Sequence, residues 1–174
     1  MQAEVPRLRP ASADEVRALR EFAARIGASY ESVAANPYVL EVPRGFYKDV
    51  FDIPRGLESV LGLLGSLYAA GYYIGSIGRD GFRPGLPLAQ RLSRLCEAGI
   101  KCVELDLRGA RSFLYGMAVG EEHIVRFTEG IAIVLDPLGE ALGWGVGRRV
   151  RLKTKVQALV EPVIDLGWYL RRGG

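Results

Sequence analysis

The residues with the most distinctive chemistry lie near the end of the 174-residue chain. Arg148-Arg149-Val150-Arg151-Leu152-Lys153-Thr154-Lys155 holds five cations in eight residues and no acid. In extended backbone, Arg149, Arg151, Lys153 and Lys155 would share one face at about 6.6 Å intervals, with Val150, Leu152 and Val156 on the other. Cations so aligned repel one another unless a polyanion lies over them. Arginine adds a planar fork that suits phosphate and stacks on bases. The chemistry implied is RNA binding through phosphates, with little sequence readout. The competing reading is a solvated edge strand whose charges block strand addition, for which one or two cations would serve. Arg171 and Arg172 are auxiliary candidates for the same surface, or equally charges at a helix end or a tail. Phe113, Tyr115, Trp144 and Trp168 are candidate base-stacking residues, with Tyr115 kept as an auxiliary RNA contact. Aromatics at such spacings more often fill a core.

Other chemistries find little support. Gly143-Trp144-Gly145-Val146-Gly147 is not a dinucleotide fingerprint, because Arg148 occupies the third glycine position and no helical pattern follows. Gly78-Arg79-Asp80-Gly81 reads as a turn, with Arg79 and Arg83 as further cations. His123, the single histidine, sits beside Glu121 and Glu122 in an expected loop and should face solvent. Cys96 and Cys102 are six apart and read most simply as two small hydrophobes, a disulfide being conceivable in a thermophile. The expectation is no catalytic residue, no metal site, no cofactor and no enzyme.

Composition bounds these readings. Hydrophobic residues make up 49% and charged residues 25%, enough apolar material for a packed core in one ordinary domain or two small ones. The opening residues do not read as a signal peptide, and a cytoplasmic protein without membrane or DNA partners is expected. The net charge of +3 conceals an asymmetry. Residues 1–99 carry 12 basic and 11 acidic side chains, residues 100–147 carry 4 and 7, and residues 148–174 carry 7 and 2. The basic end suggests an anionic partner. One asparagine and three glutamines fit a heat-adapted source.

The elements that must position these residues follow from periodicity. Ser12-Ala13-Asp14-Glu15 is a capping box, with Val16, Leu19, Phe22 and Ile26 behind it at helical spacing. Tyr38–Val42 and Phe46–Phe51 read as a hairpin. A helix from Gly56 to Ala70 is expected to turn Leu57, Val60, Leu61, Leu64 and Leu67 inward. Tyr72–Ile77 reads as a strand and Leu86–Ala98 as a helix. The 20 uncharged residues from Ser59 to Gly78 reach membrane-spanning length, but five glycines argue for a buried helix and strand instead. Lys101–Leu107 alternates as a half-exposed strand, with Cys102, Glu104 and Asp106 on its polar side. Ala110–Tyr115 reads as a short helix. Strands follow at Ile124–Thr128, Ile131–Leu135, Ala141–Val146 and Ala158–Ile164, with a turn at Asp136–Gly139. Two subdomains meeting near Gly99–Lys101 are implied.

Four runs together resemble a PUA domain: Gly109-Ala110-Arg111-Ser112-Phe113-Leu114-Tyr115-Gly116, Gly130-Ile131-Ala132-Ile133-Val134, Leu142-Gly143-Trp144-Gly145-Val146-Gly147 and Asp165-Leu166-Gly167-Trp168-Tyr169-Leu170-Arg171. Over nearly the whole chain the sequence is similar to the Nip-seven family of ribosome-biogenesis factors, which set a pre-PUA domain before a C-terminal PUA domain. The resemblance implies an α+β fold. An N-terminal α/β domain at residues 1–99 would have a largely antiparallel sheet and about three helices. A PUA-type β-barrel-like domain would occupy 100–174. It implies a non-enzymatic, archaeal RNA-binding factor acting in pre-rRNA processing or large-subunit assembly, alongside other assembly proteins. Its RNA, single-stranded or otherwise, would lie on Arg148, Arg149, Arg151, Lys153 and Lys155. Met117 departs from the asparagine that the family carries after its Tyr-Gly pair. Glu121 and Glu122 follow in the next loop, an unpromising setting for phosphate. Two other readings stand beside this one: an RNA-modifying enzyme anchored by the PUA domain, and an adaptor whose basic strand meets an acidic protein.

Overall fold

A computed structural model describes residues 6–42, 45–63, 67, 69–152, 155–168 and 171. The chain forms two compact units, one from residues 1–24 with 28–88 and the other from 25–27 with 89–174.

The first unit is a five-stranded antiparallel meander. Its strands β1 (Arg7–Pro10), β2 (Pro37–Glu41), β3 (Lys48–Asp52), β4 (Tyr72–Gly78) and β5 (Gly81–Pro84) lie in sequence order. Between β1 and β2 come helix α1 (Ala13–Ile26) and the single turn α2 (Tyr30–Val33). The capping box at the start of α1 is formed: the Ser12 amide donates to Glu15 at 2.8 Å, and the Glu15 amide donates to the Ser12 hydroxyl at 3.3 Å. Leu19, Phe22 and Ala23 are buried, and Phe22 meets Phe82 of β5 edge-on at 5.0 Å. The same Glu15 carboxylate receives both arms of Arg9, at 2.7 and 2.9 Å, and Lys48 at 3.1 Å. Arg9 and Lys48 also reach Glu41, so four charges from β1, α1, β2 and β3 form one knot. The Arg9 guanidinium, followed by the Ser12 amide and Lys48, holds the Glu15 carboxyl down at about 2.

The expected helix from Gly56 to Ala70 does not run through: among the described residues of that stretch only α3 (Glu58–Leu61) is helical, and Leu57 and Val60 are exposed. No side chain caps this turn, and glycine at position 62 follows it, so the leucine periodicity has no helix to propagate along. Leu64 lies outside the described residues. Among the described residues, no helix is long and apolar enough to cross a membrane.

The chain then enters α4 (Leu86–Ser93) and a 3-10 turn (Cys96–Ala98), shorter than the single helix expected there. Gly99, at φ +104°, reverses the backbone after that turn. The reversal brings Cys96 and Cys102 to a Cα separation of 5.8 Å, where they form a disulfide. They are therefore a covalent link and not two separate hydrophobes, and Cys102 is buried instead of facing water.

The second unit contains β6 (Cys102–Leu105), α5 (Leu107–Leu114), β7 (Val119–Gly120), a 3-10 turn (Glu121–His123), β8 (Ile124–Arg126), β9 (Gly130–Leu135), β10 (Ala141–Leu152) and β11 (Lys155–Asp165). The sheet order is β7-β11-β10-β9-β6-β8, antiparallel except for β6 beside β9. Its two outer strands, β7 and β8, are joined by the three residues Glu121–His123. A connection that short spans at most about 14 Å, so the sheet curls until its edges nearly meet and the unit is barrel-like. The core contains Val103, Leu105, Phe113, Val134, Leu142 and Val160.

His123 helps to fix this curl, contrary to the solvent-facing loop expected for it. Its Nδ1 lies 2.9 Å from Asp106, whose carboxylate also caps α5 by accepting the Gly109 amide at 2.7 Å. Those bonds, the Gly109 amide first, hold the Asp106 carboxyl below its ordinary value.

Candidate nucleic-acid interface

The basic run occupies the far end of the β10–β11 hairpin. Pairing continues from Gly143↔Asp165 to Leu152↔Lys155, with Lys153 and Thr154 outside the described residues. The pairing of β10 with β9 ends at Gly147↔Gly130, and that of β11 with β7 begins at Leu159. Residues 148–152 and 155–158 therefore project as a two-stranded ribbon.

This register corrects the expected single face of cations. Because the chain reverses between Leu152 and Lys155, residues opposite one another share a face. Arg149 and Arg151 stand with Val156 and Ala158. Arg148 and Lys155 stand on the other side with Val150, Gln157 and Leu159. The ribbon thus carries positive charge on both faces.

Acids from elsewhere in the chain also join the site. Arg149 pairs with Glu129 at 3.0 Å, and its guanidinium lies 5.3 Å from the centre of the Phe127 ring. Arg148 pairs with Glu161 at 3.1 Å. All four of these charged side chains are substantially exposed, so the pairs are weak and can exchange for a phosphate at little cost. Arg151 and Lys155 are exposed and have no ion-pair partner among the described residues. Glycine at position 147 makes the arrangement possible. A Cβ there would stand 2.0 Å from the Thr128 carbonyl, so only glycine lets the 127–129 segment lie against β10 and deliver Phe127 and Glu129. No local signal marked either residue, since both arrive through long-range pairing.

The remaining candidates separate. Trp144 and Phe113 are fully buried and have no face for a base. Arg171 is a structural anchor: it grips Asp165 with two bonds, at 3.0 and 2.8 Å, and donates to the Leu114 carbonyl. Asp165 is buried, and this pairing raises the Arg171 guanidinium above its ordinary value. Tyr115 is exposed, but it lies at the end of α5 beside the segment containing Leu166 and Gly167. Arg172 lies outside the described residues.

A curled, mostly antiparallel sheet with one helix entering after its first strand, and a basic hairpin leaving it, defines a PUA-type domain, a class of RNA-binding module. Residues 101–174 match the family described as the UPF0113 PUA domain. A UPF0113 protein of Aeropyrum pernix is 43% identical over 168 residues, spanning 97% of this chain and 94% of that one. The chain belongs to the UPF0113 family. The crystal structure of a hypothetical protein from the hyperthermophilic archaeon Pyrococcus horikoshii superposes with a TM-score of 0.58 at 15% identity. That match covers 94% of this chain and 99% of that one, and it shows the shared fold.

Proposed function

We propose that the protein is a non-enzymatic RNA-binding factor of ribosome biogenesis, acting on pre-rRNA in an archaeal cytoplasm together with other assembly proteins. The observation that carries the RNA contact is the projecting β10–β11 ribbon. It has cations on both faces, and Arg151 and Lys155 have no ion-pair partner among the described residues. Arg148, Arg149, Arg151 and Lys155 would contact phosphates, and Lys153 is proposed to join them. Phe127 holds the planar Arg149 guanidinium against its ring, where it can meet a phosphate or a stacked base. Membership in a PUA-containing family supports RNA as the polyanion. The ribosomal setting rests on the similarity to biogenesis factors noted above.

The test is titration of the full chain with a uridine-rich RNA oligomer across salt concentrations. A steep fall in affinity with salt is expected, with a slope of about 0.7 per phosphate contacted. Binding to pre-rRNA fragments more tightly than to a composition-matched random RNA would support the ribosomal assignment. Equal binding would remove it while leaving the RNA interface intact.

A further inference from the structure

The second unit has another prepared surface, of opposite character to the ribbon. A cleft of about 470 Å³ opens beside α5. Leu107, Arg111, Leu114 and Tyr115 recur at i, i+4, i+7 and i+8, which sets them in one stripe along that helix. Leu142 of β10 and Leu166 beyond β11 complete the apolar walls. The cleft is built into the fold. A Cβ on Gly167 would stand 1.9 Å from the Leu114 carbonyl, so the chain lies directly on the end of α5. Arg171 then locks it there through Asp165 and Leu114.

The charges around the cleft are unevenly committed. One Asp136 oxygen is held toward its own turn, accepting the Leu138 and Glu140 amides at 2.8 and 2.9 Å. Asp165 is held by Arg171. Arg111 is exposed and has no ion-pair partner among the described residues. What the described residues of the cleft offer an incoming molecule is therefore apolar wall, the unpaired Arg111 and, at the rim turn, the Asp136 carboxylate. Large apolar side chains adjoin it in the sequence: Leu107 is 73% exposed and Leu138 86%, with Met117 and Trp168 also exposed. Scattered exposed leucines need no explanation, but a concentration of them about a cleft marks an interaction surface. RNA is a poor match, because a phosphate backbone would lose water against aliphatic walls and, among the described residues, meet one uncommitted cation beside the Asp136 carboxylate.

We infer that this cleft docks a protein partner, which inserts an apolar segment carrying a carboxylate that pairs with Arg111. Aromatic and arginine side chains about an apolar centre, here Tyr115 and Arg111 with the leucines, are the composition of such interfaces. This docking is independent of RNA binding at the ribbon.

The experiment is selection of a random twelve-residue peptide library on the full-length folded protein, followed by affinity measurement with the enriched peptides. Recovered sequences should pair large apolar residues with Asp or Glu. Their affinity should fall at least tenfold in Arg111→Glu and in Leu107→Ser, both exposed positions whose folding is checked by circular dichroism. Emission of Trp168 should shift on binding. Affinity should be unchanged by a saturating uridine-rich oligomer and by Arg149→Glu with Arg151→Glu. Failure to enrich any peptide over the Arg111→Glu protein would overturn the inference. So would peptides that bind both variants as tightly as the parent, or that RNA displaces.

Discussion

Two groups of cations in this protein have contrasting fates. In the first unit, Arg9 and Lys48 are spent on Glu15 and Glu41, tying three strands to the start of α1. In the second, Arg148 and Arg149 hold exposed, exchangeable partners, while Arg151 and Lys155 have none among the described residues. The difference does not lie in local composition, because Arg7-Leu8-Arg9 begins with the same alternation as Arg149-Val150-Arg151. It lies in what the strand is paired with. β1 is met by acids from α1 and β2, whereas the ribbon extends past its neighbours. A cluster of cations is a binding surface only to the extent that the fold leaves it without partners.

That contrast can be broken at either end. Arg149→Glu combined with Arg151→Glu should weaken RNA binding roughly 30-fold or more and lower the salt slope by about 1.4, with melting temperature nearly unchanged. A folded double variant with unaltered affinity would remove the ribbon as the RNA site. Glu15→Ala should do the reverse, costing about 2 kcal/mol of stability while leaving RNA affinity alone. The loss stays modest because Arg9 and Lys48 remain partly in water. Loss of RNA binding in a folded Glu15→Ala protein would show that the two regions are not separate in role.

Acid titration sharpens the same point. The Glu15 carboxyl is lowered from 4.5 to about 2 in the folded protein. Its stabilising contribution is therefore complete above about pH 4.5 and is lost as pH falls toward 2. Denaturation followed by circular dichroism should show a stability loss in that window that is smaller in Glu15→Gln, where Glu41 and Asp106 still titrate. The smallest expected effect is at Glu129. Replacing it with Gln releases Arg149 from its partner and should raise RNA affinity about two- to threefold, in line with the worth of an exposed ion pair. A fall would mean that Glu129 positions Arg149 instead of competing for it.

Features written in contiguous residues were legible in the sequence. The capping box and apolar spacing of α1 lie within one helix, and alternation marked β2, β3 and the apolar part of β10. The failures share a cause. The leucines after Gly56 have helical spacing, but an uncapped turn with Gly62 behind it gives one turn of helix. Lys153-Thr154 carries none of the Gly, Asn or Pro that announces a hairpin, so the basic run read as one continuous face. β1, rich in arginine and closed by Pro10, lacks an apolar stripe of its own. Glu129, Phe127 and the cleft beside α5 depend on residues far apart in the chain, which no local pattern records. The family resemblance anticipated a PUA domain where spacing alone implied only a strand-rich second half.

The three-residue link between β7 and β8 has a further consequence. Those outermost strands are two and three residues long, so each displays very little unsatisfied backbone. At those two strands an incoming chain finds almost no ladder on which to align as an added strand. At this seam of the curled sheet, encounters are therefore decided by side chains and not by strand addition.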